Sequence, residues 1–247
     1  MKFEDHFSQH AGRYALFRPG YPQELFAYLS SQTHGHTLAW DCATGNGQAA
    51  RDLAAYYERV VATDASEAQI RQAEPHDGIE YRVEPAEQTS LETASVDLVT
   101  VAVAVHWFDF DRFYEEVRRV LKPDGVIAVW TYYRPQIDPA LDVLIARLDE
   151  EILGPYWPER IQYVHQRYQT LPFPFEPLNP PPFAVQADWD LDQLLGFINS
   201  WSGVKRFEEA RGYNPLREIW VDLLAAWGTP DLARTITWPL DMRVGRV

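Results

Sequence analysis

Residues 38–64 read LAWDCATGNGQAARDLAAYYERVVATD. An apolar run ends at Asp41, a turn carrying Gly45 and Gly47 leads into a helix-compatible stretch, and a second apolar run, residues 59–63, ends at Asp64. Strand, turn, helix, strand, acid is half of a nucleotide-binding α/β unit. The two carboxylates fall at the ends of adjacent parallel strands, beside a turn whose bare backbone lets a ligand lie close.

Charge selects the ligand. Gly45-x-Gly47-x-x-Ala50, with Asp64 about twenty residues on, fits the fingerprint of a dinucleotide site. A nicotinamide-dependent oxidoreductase is therefore one reading. Asp41 argues against it, because a pyrophosphate needs the positive end of the following helix and a carboxylate just ahead of the turn repels it. An ammonium would be attracted instead. S-adenosylmethionine brings an ammonium to suit Asp41, ribose hydroxyls to suit Asp64, and no phosphate.

Outward from this unit the periodicity continues. Residues 4–18 place Phe7, Ala11, Tyr14 and Arg18 on one helical face, and Arg18-Pro19-Gly20-Tyr21-Pro22 stops the helix. A helix is expected over about 23–32, strand 1 over 38–42, a helix over about 48–57 and strand 2 over 59–63. Ser66 is placed to cap the next helix, with Glu67 in its first turn, and Gly78 precedes strand 3 over 79–83. The apolar run 96–103 suits a central strand buried on both faces. A helix over about 110–121 ends at Lys122-Pro123-Asp124-Gly125, before strand 5 over 126–131. This alternation implies an α/β fold with a doubly wound, mostly parallel sheet.

After Tyr133 the rhythm breaks. One clear helix, about 140–153, is followed by LPFPFEPLNPPPF (171–183), which suits neither regular helix nor central strand. Its aromatic content points to an ordered cap rather than a loose linker. Strand 6 is expected over 183–187, helices over 191–201 and 216–227, and an antiparallel last strand over 235–244, with Pro239 as a bulge or edge irregularity. The expected domain is a seven-stranded core of residues 1–133 and 183–247, with 134–182 inserted as a helical and Pro-rich cap.

The chain carries 36 acidic against 22 basic residues, a net charge of −14. No Lys/Arg cluster offers a face to a phosphate backbone, so no nucleic-acid partner is expected. Cys42, the single cysteine, lies in an apolar strand end and reads as a small buried residue. That cysteine usage, with no secretory leader and no run of about 18 apolar residues, points to a cytoplasmic protein without a membrane partner, monomeric or homodimeric. Nine Trp, thirteen Tyr and twelve Phe are enough to line a cleft as well as fill a core. Asp188-x-Asp190-x-Asp192 lacks the glycine and later glutamate of a calcium loop and reads as a helix-capping cluster, so no metal is expected.

Asp41-Cys42-Ala43-Thr44-Gly45-Asn46-Gly47 resembles motif I of the class I S-adenosylmethionine-dependent methyltransferases, usually acid-x-Gly-x-Gly-x-Gly, with Ala43 in place of the first glycine. Further strings resemble one small-molecule subgroup, the trans-aconitate methyltransferase-like enzymes. They are Phe7-x-x-x-Ala11-x-x-Tyr14-x-x-x-Arg18-Pro19, Val105-His106-Trp107-Phe108-Asp109, Arg119-Val120-Leu121-Lys122-Pro123-Asp124-Gly125, Ser200-Trp201-Ser202 and Trp238-Pro239-Leu240. The resemblance implies S-adenosylmethionine as cofactor, held at its methionine end by Asp41 and the Ala43, Gly45 and Gly47 turn. It implies ribose contact at Asp64, with Ala65 beside it against the adenine, and a main-chain carbonyl near Val101 for the ammonium. In Pro85-Ala86-Glu87, Pro85 stands where the family often has an acid for the adenine amine; the Ala86 N–H and Glu87 are the remaining candidates for that contact.

Each of these residues also has a plainer reading. Asp64 would serve as a helix cap, Gly45 and Gly47 as an ordinary tight turn, and Arg18 as a cation at a helix C-terminus. If the 1–22 segment covers the cofactor cleft, Tyr14 and Arg18 would meet a carboxylate of cofactor or substrate. His106 and Trp107 follow the end of strand 4, where active sites of open α/β sheets lie. The expected activity is methyl transfer to a small molecule, with a carboxylic acid as one candidate acceptor. A carboxylate nucleophile needs no base and would be oriented by Arg18 with Arg134; a hydroxyl or amine would need a proton acceptor, for which His106 is the candidate. A non-catalytic S-adenosylmethionine-binding protein is the third reading.

Overall fold

The computed structural model describes residues 20–247. The expected helix over 4–18, with Tyr14 and Arg18, lies outside them. Among the described residues the chain runs α1 (Gln23–Ser31), β1 (Leu38–Cys42), α2 (Gln48–Leu53), β2 (Arg59–Asp64), α3 (Glu67–Ile70), β3 (Ile79–Val83), β4 (Val96–Ala102), α4 (Phe110–Val120) and β5 (Leu121–Tyr132). It continues through α5 (Pro139–Ala146), α6 (Gln162–His165), β6 (Glu176–Leu178), β7 (Ala184–Trp189), α7 (Leu191–Asn199), α8 (Ser202–Arg211), α9 (Trp220–Trp227) and β8 (Arg234–Arg246).

The sheet order is β3-β2-β1-β4-β5-β8-β6, with β7 also on β8. β1 to β5 are parallel, and β8 runs antiparallel to β5. The order reverses between β1 and β4, which opens a crevice above their carboxyl ends. β8 is long enough to take β7 along residues 234–239 and β6 along 244–246. The short β6 is an eighth strand within the Pro-rich stretch. Its Pro177 is tolerated because the strand lies at the sheet edge.

Pro239 does not bulge. β8 pairs with β7 in unbroken register through Ala184–Pro239, and the β5 ladder reaches only Tyr132–Leu240, so the missing N–H at Pro239 removes no sheet bond. Lys122–Gly125 continue directly from α4 into β5 and shift the register against β4 between Val96 and Leu98. α8 is a helix that the sequence pattern did not mark. α2 is shorter than expected, and the helix after β5 changes at Arg147 from α to π geometry.

Alternate residues of each strand enter opposite faces. On β5, Val126, Ala128, Trp130 and Tyr132 pack with α1, α2, α5 and α7 to α9, whereas Ile127 and Val129 pack with α4 and residues 164–175. The 134–182 segment is woven into both cores: Leu141, Ile145, Leu148 and Leu153 are buried in the first, Val164, Tyr168, Leu171 and Phe175 in the second. No helix among the described residues is long and apolar enough to cross a membrane.

Candidate active site

β1 delivers Asp41 fully buried to the base of the glycine turn. The Thr44 hydroxyl donates to one carboxylate oxygen and the Thr100 hydroxyl to the other, the latter at 2.7 Å. Burial pushes the Asp41 pKa up to about 6 against the pull of these hydroxyls, and the Asp64 charge adds to the rise. Asp64 spans the turn from the end of β2. It accepts the Gly45 N–H at 2.9 Å and the Ser66 N–H at 2.8 Å, while Ser66 caps α3. Asp64 is therefore not the helix cap.

Between the two acids the backbone is left-handed at Ala43 (φ 54°), Gly45 (φ 59°) and Gly47 (φ 86°). Alanine at the first of these carries roughly 1 kcal/mol of strain. Gly47 is needed twice over, for its φ and because a Cβ there would run into the Tyr81 hydroxyl. That hydroxyl is buried with no hydrogen-bond partner among the described residues. The cradle fits a nucleoside bringing an ammonium and a diol. The Asp64 carboxylate at the turn is an acceptor, the group that ribose hydroxyls require. It does not fit a pyrophosphate, because the Gly45 N–H is already engaged and a buried acid lies beneath.

The β1–β4 ladder ends at Asp41–Thr100, whereas β4–β5 continues to Ala102–Trp130. The main chain at Val101 therefore stands where the crevice opens. Ala65 is half-buried beside Asp64, and Ala86 is buried. Glu87 accepts the Asp109 N–H at 3.0 Å and so anchors the start of α4.

Beside this crevice, above β4 and β5, lies an open-mouthed cavity of ≈ 100 Å³. Val103, His106, Trp107, Tyr133, Trp157 and Trp201 supply much of its wall. Val103 has φ 55°, a strained conformation for a β-branched residue, at the point where β4 gives way to the site. His106 is 2% exposed, with Nδ1 2.8 Å from the Tyr168 hydroxyl. Burial and the Arg160 charge pull its pKa down to about 3, which makes it a neutral wall and a weak proton acceptor.

The cavity also holds polar groups that sequence reasoning missed. Asp149 lies in the π-helical turn Arg147–Ile152, where the Leu153 N–H reaches back to the Leu148 carbonyl. It is 1% exposed and accepts from the Tyr133 hydroxyl. His165 Nε2 lies 3.6 Å from its other oxygen, and Arg134 lies 3.8 Å away. Arg134 is held more closely by Glu150, at 2.7 Å. Burial raises the Asp149 pKa, opposed by Tyr133, His165 and Arg134. Nothing in the periodicity of residues 140–153 distinguishes Asp149 from a surface acid; the widened turn turns it inward. Asp190 caps α7 in a capping box with Gln193, in keeping with its sequence reading.

The family described as "Methyltransferase domain" matches residues 40–129. The chain is 34% identical over 234 residues to a Dictyostelium discoideum protein named "Putative methyltransferase", covering 93% of this chain and 89% of that protein. It is 29% identical over 135 residues to the Saccharomyces cerevisiae protein CRG1, named "Probable S-adenosylmethionine-dependent methyltransferase", covering 51% of this chain and 46% of CRG1. A solved structure from Anaeromyxobacter dehalogenans, titled as that of a "Putative Type II Methyltransferase", aligns with a TM-score of 0.86 and 45% identity, over 93% of this chain and 97% of that one. With the acid–glycine cradle at the reversal of its sheet, this chain belongs to the S-adenosylmethionine-dependent methyltransferases, with the class I Rossmann-like fold.

Proposed function

We propose that the methyl acceptor is a small molecule bound in the aromatic cavity above β4 and β5, next to the cofactor crevice above β1 and β2. The observation that carries this reading is the adjacency of the two sites, which share the end of β4 as their common wall. Asp41 would act on the methionine ammonium through its buried charge, and the turn at Ala43, Gly45 and Gly47 would take the methionine end. Asp64 would hold the ribose, and Ala65 with the Ala86 main chain would take the adenine. Glu87, tied to the Asp109 N–H, serves that end by fixing the loop.

Bound S-adenosylmethionine supplies a methyl group already activated on a sulfonium. The protein's task is to align and to exclude water, and alignment alone is worth up to about 7–11 kcal/mol in well-oriented systems. The trans-aconitate-like subgroup and a carboxylic-acid acceptor rest on the motif strings. The charges at the cavity favour another acceptor: Arg134, the cation on its wall, lies between two acids, Glu150 and Asp149.

Isothermal titration with S-adenosylhomocysteine and with NAD tests the cradle. Binding of the former alone is expected, with affinity falling at least about tenfold in Asp64→Ala, the loss of about 1.4 kcal/mol of hydrogen bonding. An unchanged affinity in a folded variant would remove Asp64 from the site.

A further inference from the structure

We infer that His165, oriented by Asp149, is the general base of this methyltransferase, and that its acceptor is a neutral planar molecule bearing a ring hydroxyl. The inference builds on the acceptor-cavity reading and adds to it a residue role and a substrate class. Three observations carry it. His165 and Asp149 both line the cavity, and His165 Nε2 faces a carboxylate that is 1% exposed. The Asp149 carboxylate is itself fixed by the Tyr133 hydroxyl, so the pair has an orienting group, as a proton-accepting histidine requires. The His165 ring is held at its edges by Trp157, at 5.5 Å between centroids, and Tyr133, at 5.1 Å.

Nε2 lies 3.6 Å from the Asp149 carboxylate, which offers only acceptors, so we assign the ring proton to Nε2 and the accepting lone pair to Nδ1. It has no partner among the described residues, and the side chain is 31% exposed, which leaves the proton a route to solvent. His106 cannot take this part as readily, because its Nδ1 is engaged by Tyr168 and the residue is sealed from water.

The cavity's ≈ 100 Å³ is the scale of a single ring, and indole walls stack on flat rings. A carboxylate acceptor would meet two acids, Asp149 and Glu150, beside the single arginine of the wall. An aliphatic amine arrives protonated at neutral pH, and Asp149 would hold it in that form. A phenolic hydroxyl, with a pKa near about 10, is neutral on arrival and within reach of a histidine base. In the step, the acceptor's O–H proton passes to His165 Nδ1 and the oxygen forms the bond to the methyl carbon. The electron pair of the broken carbon–sulfur bond stays on sulfur. The products are a methyl ether and S-adenosylhomocysteine, with the proton released from His165.

The test has two readouts besides turnover. S-adenosylhomocysteine binding is measured first in wild type, His165→Gln and Asp149→Asn; affinities within twofold show that the cofactor cradle and fold are intact. The His165 titration is then followed by NMR. Its ring faces Tyr133, Arg134, Asp149 and Glu150, and Asp149 raises its pKa against the larger effect of burial. Asp149→Asn is therefore expected to move the His165 titration to lower pH, and with it the acid limb of kcat/KM. Methyl transfer is assayed against phenol, benzoate and benzylamine series. Transfer to phenols, falling about 10²- to 10⁴-fold in His165→Gln, is the expected result. Turnover within threefold of wild type in that variant, an acid limb that ignores the His165 titration, or transfer confined to carboxylates or amines would overturn the inference. Loss of S-adenosylhomocysteine binding by the wild-type protein would instead overturn the cradle assignment.

Discussion

At the level of single residues, the glycine turn is a set of backbone demands that side chains either meet or resist. Ala43 at φ 54° resists, so Ala43→Gly is expected to stabilise the fold by up to about 1 kcal/mol in chemical denaturation, and a loss of stability would show that the alanine methyl packs usefully. Gly47 allows no such exchange. Gly47→Ala meets both φ 86° and the Tyr81 hydroxyl, and is expected to cost about 2–3 kcal/mol, partly recovered by pairing it with Tyr81→Phe. No recovery in the double variant would put the whole cost on the backbone. Asp41 makes the site pH-dependent. Its folded pKa of about 6 exceeds the ordinary value of 3.8, so between these limits the folded chain binds more protons than the unfolded one. The stability due to this group therefore rises as pH falls through that window, whereas affinity for a cationic nucleoside falls as the charge is lost. Titrations of S-adenosylmethionine from pH 7.5 to 5 should show weakening affinity, and a flat profile would remove the charge of Asp41 from recognition.

Among the elements, the junctions between strands and cap decide the cavity. Gly203, near the start of α8, lets that helix press against the Trp157 indole; an added Cβ would sit 3.0 Å from its ring. Gly203→Ala should push Trp157 toward the cavity, raising the KM for the acceptor severalfold while S-adenosylhomocysteine affinity stays unchanged; equal effects on both would place Trp157 outside the acceptor site. At the amino ends of the central strands, Asp97 is 5% exposed and accepts the Thr37 and Leu38 N–H groups at 3.0 Å each, with Lys122 at 2.8 Å. It ties the start of β1 to β4 and to the β5 bulge. Asp97→Ala leaves two backbone donors and an ammonium unmatched, and should cost about 3 kcal/mol without touching the cofactor cradle.

For the whole molecule, the decisive fact is that the segment after β5 is bonded and packed into the sheet's core. Tyr168 bonds His106, Arg160 reaches the carbonyls of His106 and Phe108, and the Pro172 and Pro174 carbonyls accept from Tyr114 and Arg118. Residues 164–175 lie in the same core as β1, β4 and α4. Unfolding is therefore expected to be one cooperative transition. Tryptophan fluorescence, which reports Trp157 and Trp201 near the cavity along with the sheet, should coincide with far-ultraviolet dichroism in urea. A separate early fluorescence transition would show that the cap melts by itself.

The local rules of the chain determined the sheet. Apolar period and terminal acids placed β1 and β3 to the residue and β2, β4 and β7 to within two: β1, β2 and β4 are parallel strands that read as apolar runs, and turn residues bound the edge strand β3. The same rules placed the glycine turn between its two acids, since left-handed backbone selects glycine locally and an acid at a strand end needs no distant partner to be recognised. The aromatic cavity proposed for the acceptor formed only in three dimensions. His165 and Asp149 are sixteen residues apart, one at the end of the single-turn helix α6 and the other in the π-helical turn, elements too short to show a period. Burial shifts their proton affinities, and burial belongs to whatever packs over a residue: His106, the candidate base by its place in the sequence, is sealed by Tyr168 from sixty-two residues away. A side chain's proton affinity is a property of its surroundings, and these surroundings exist only once the chain has folded.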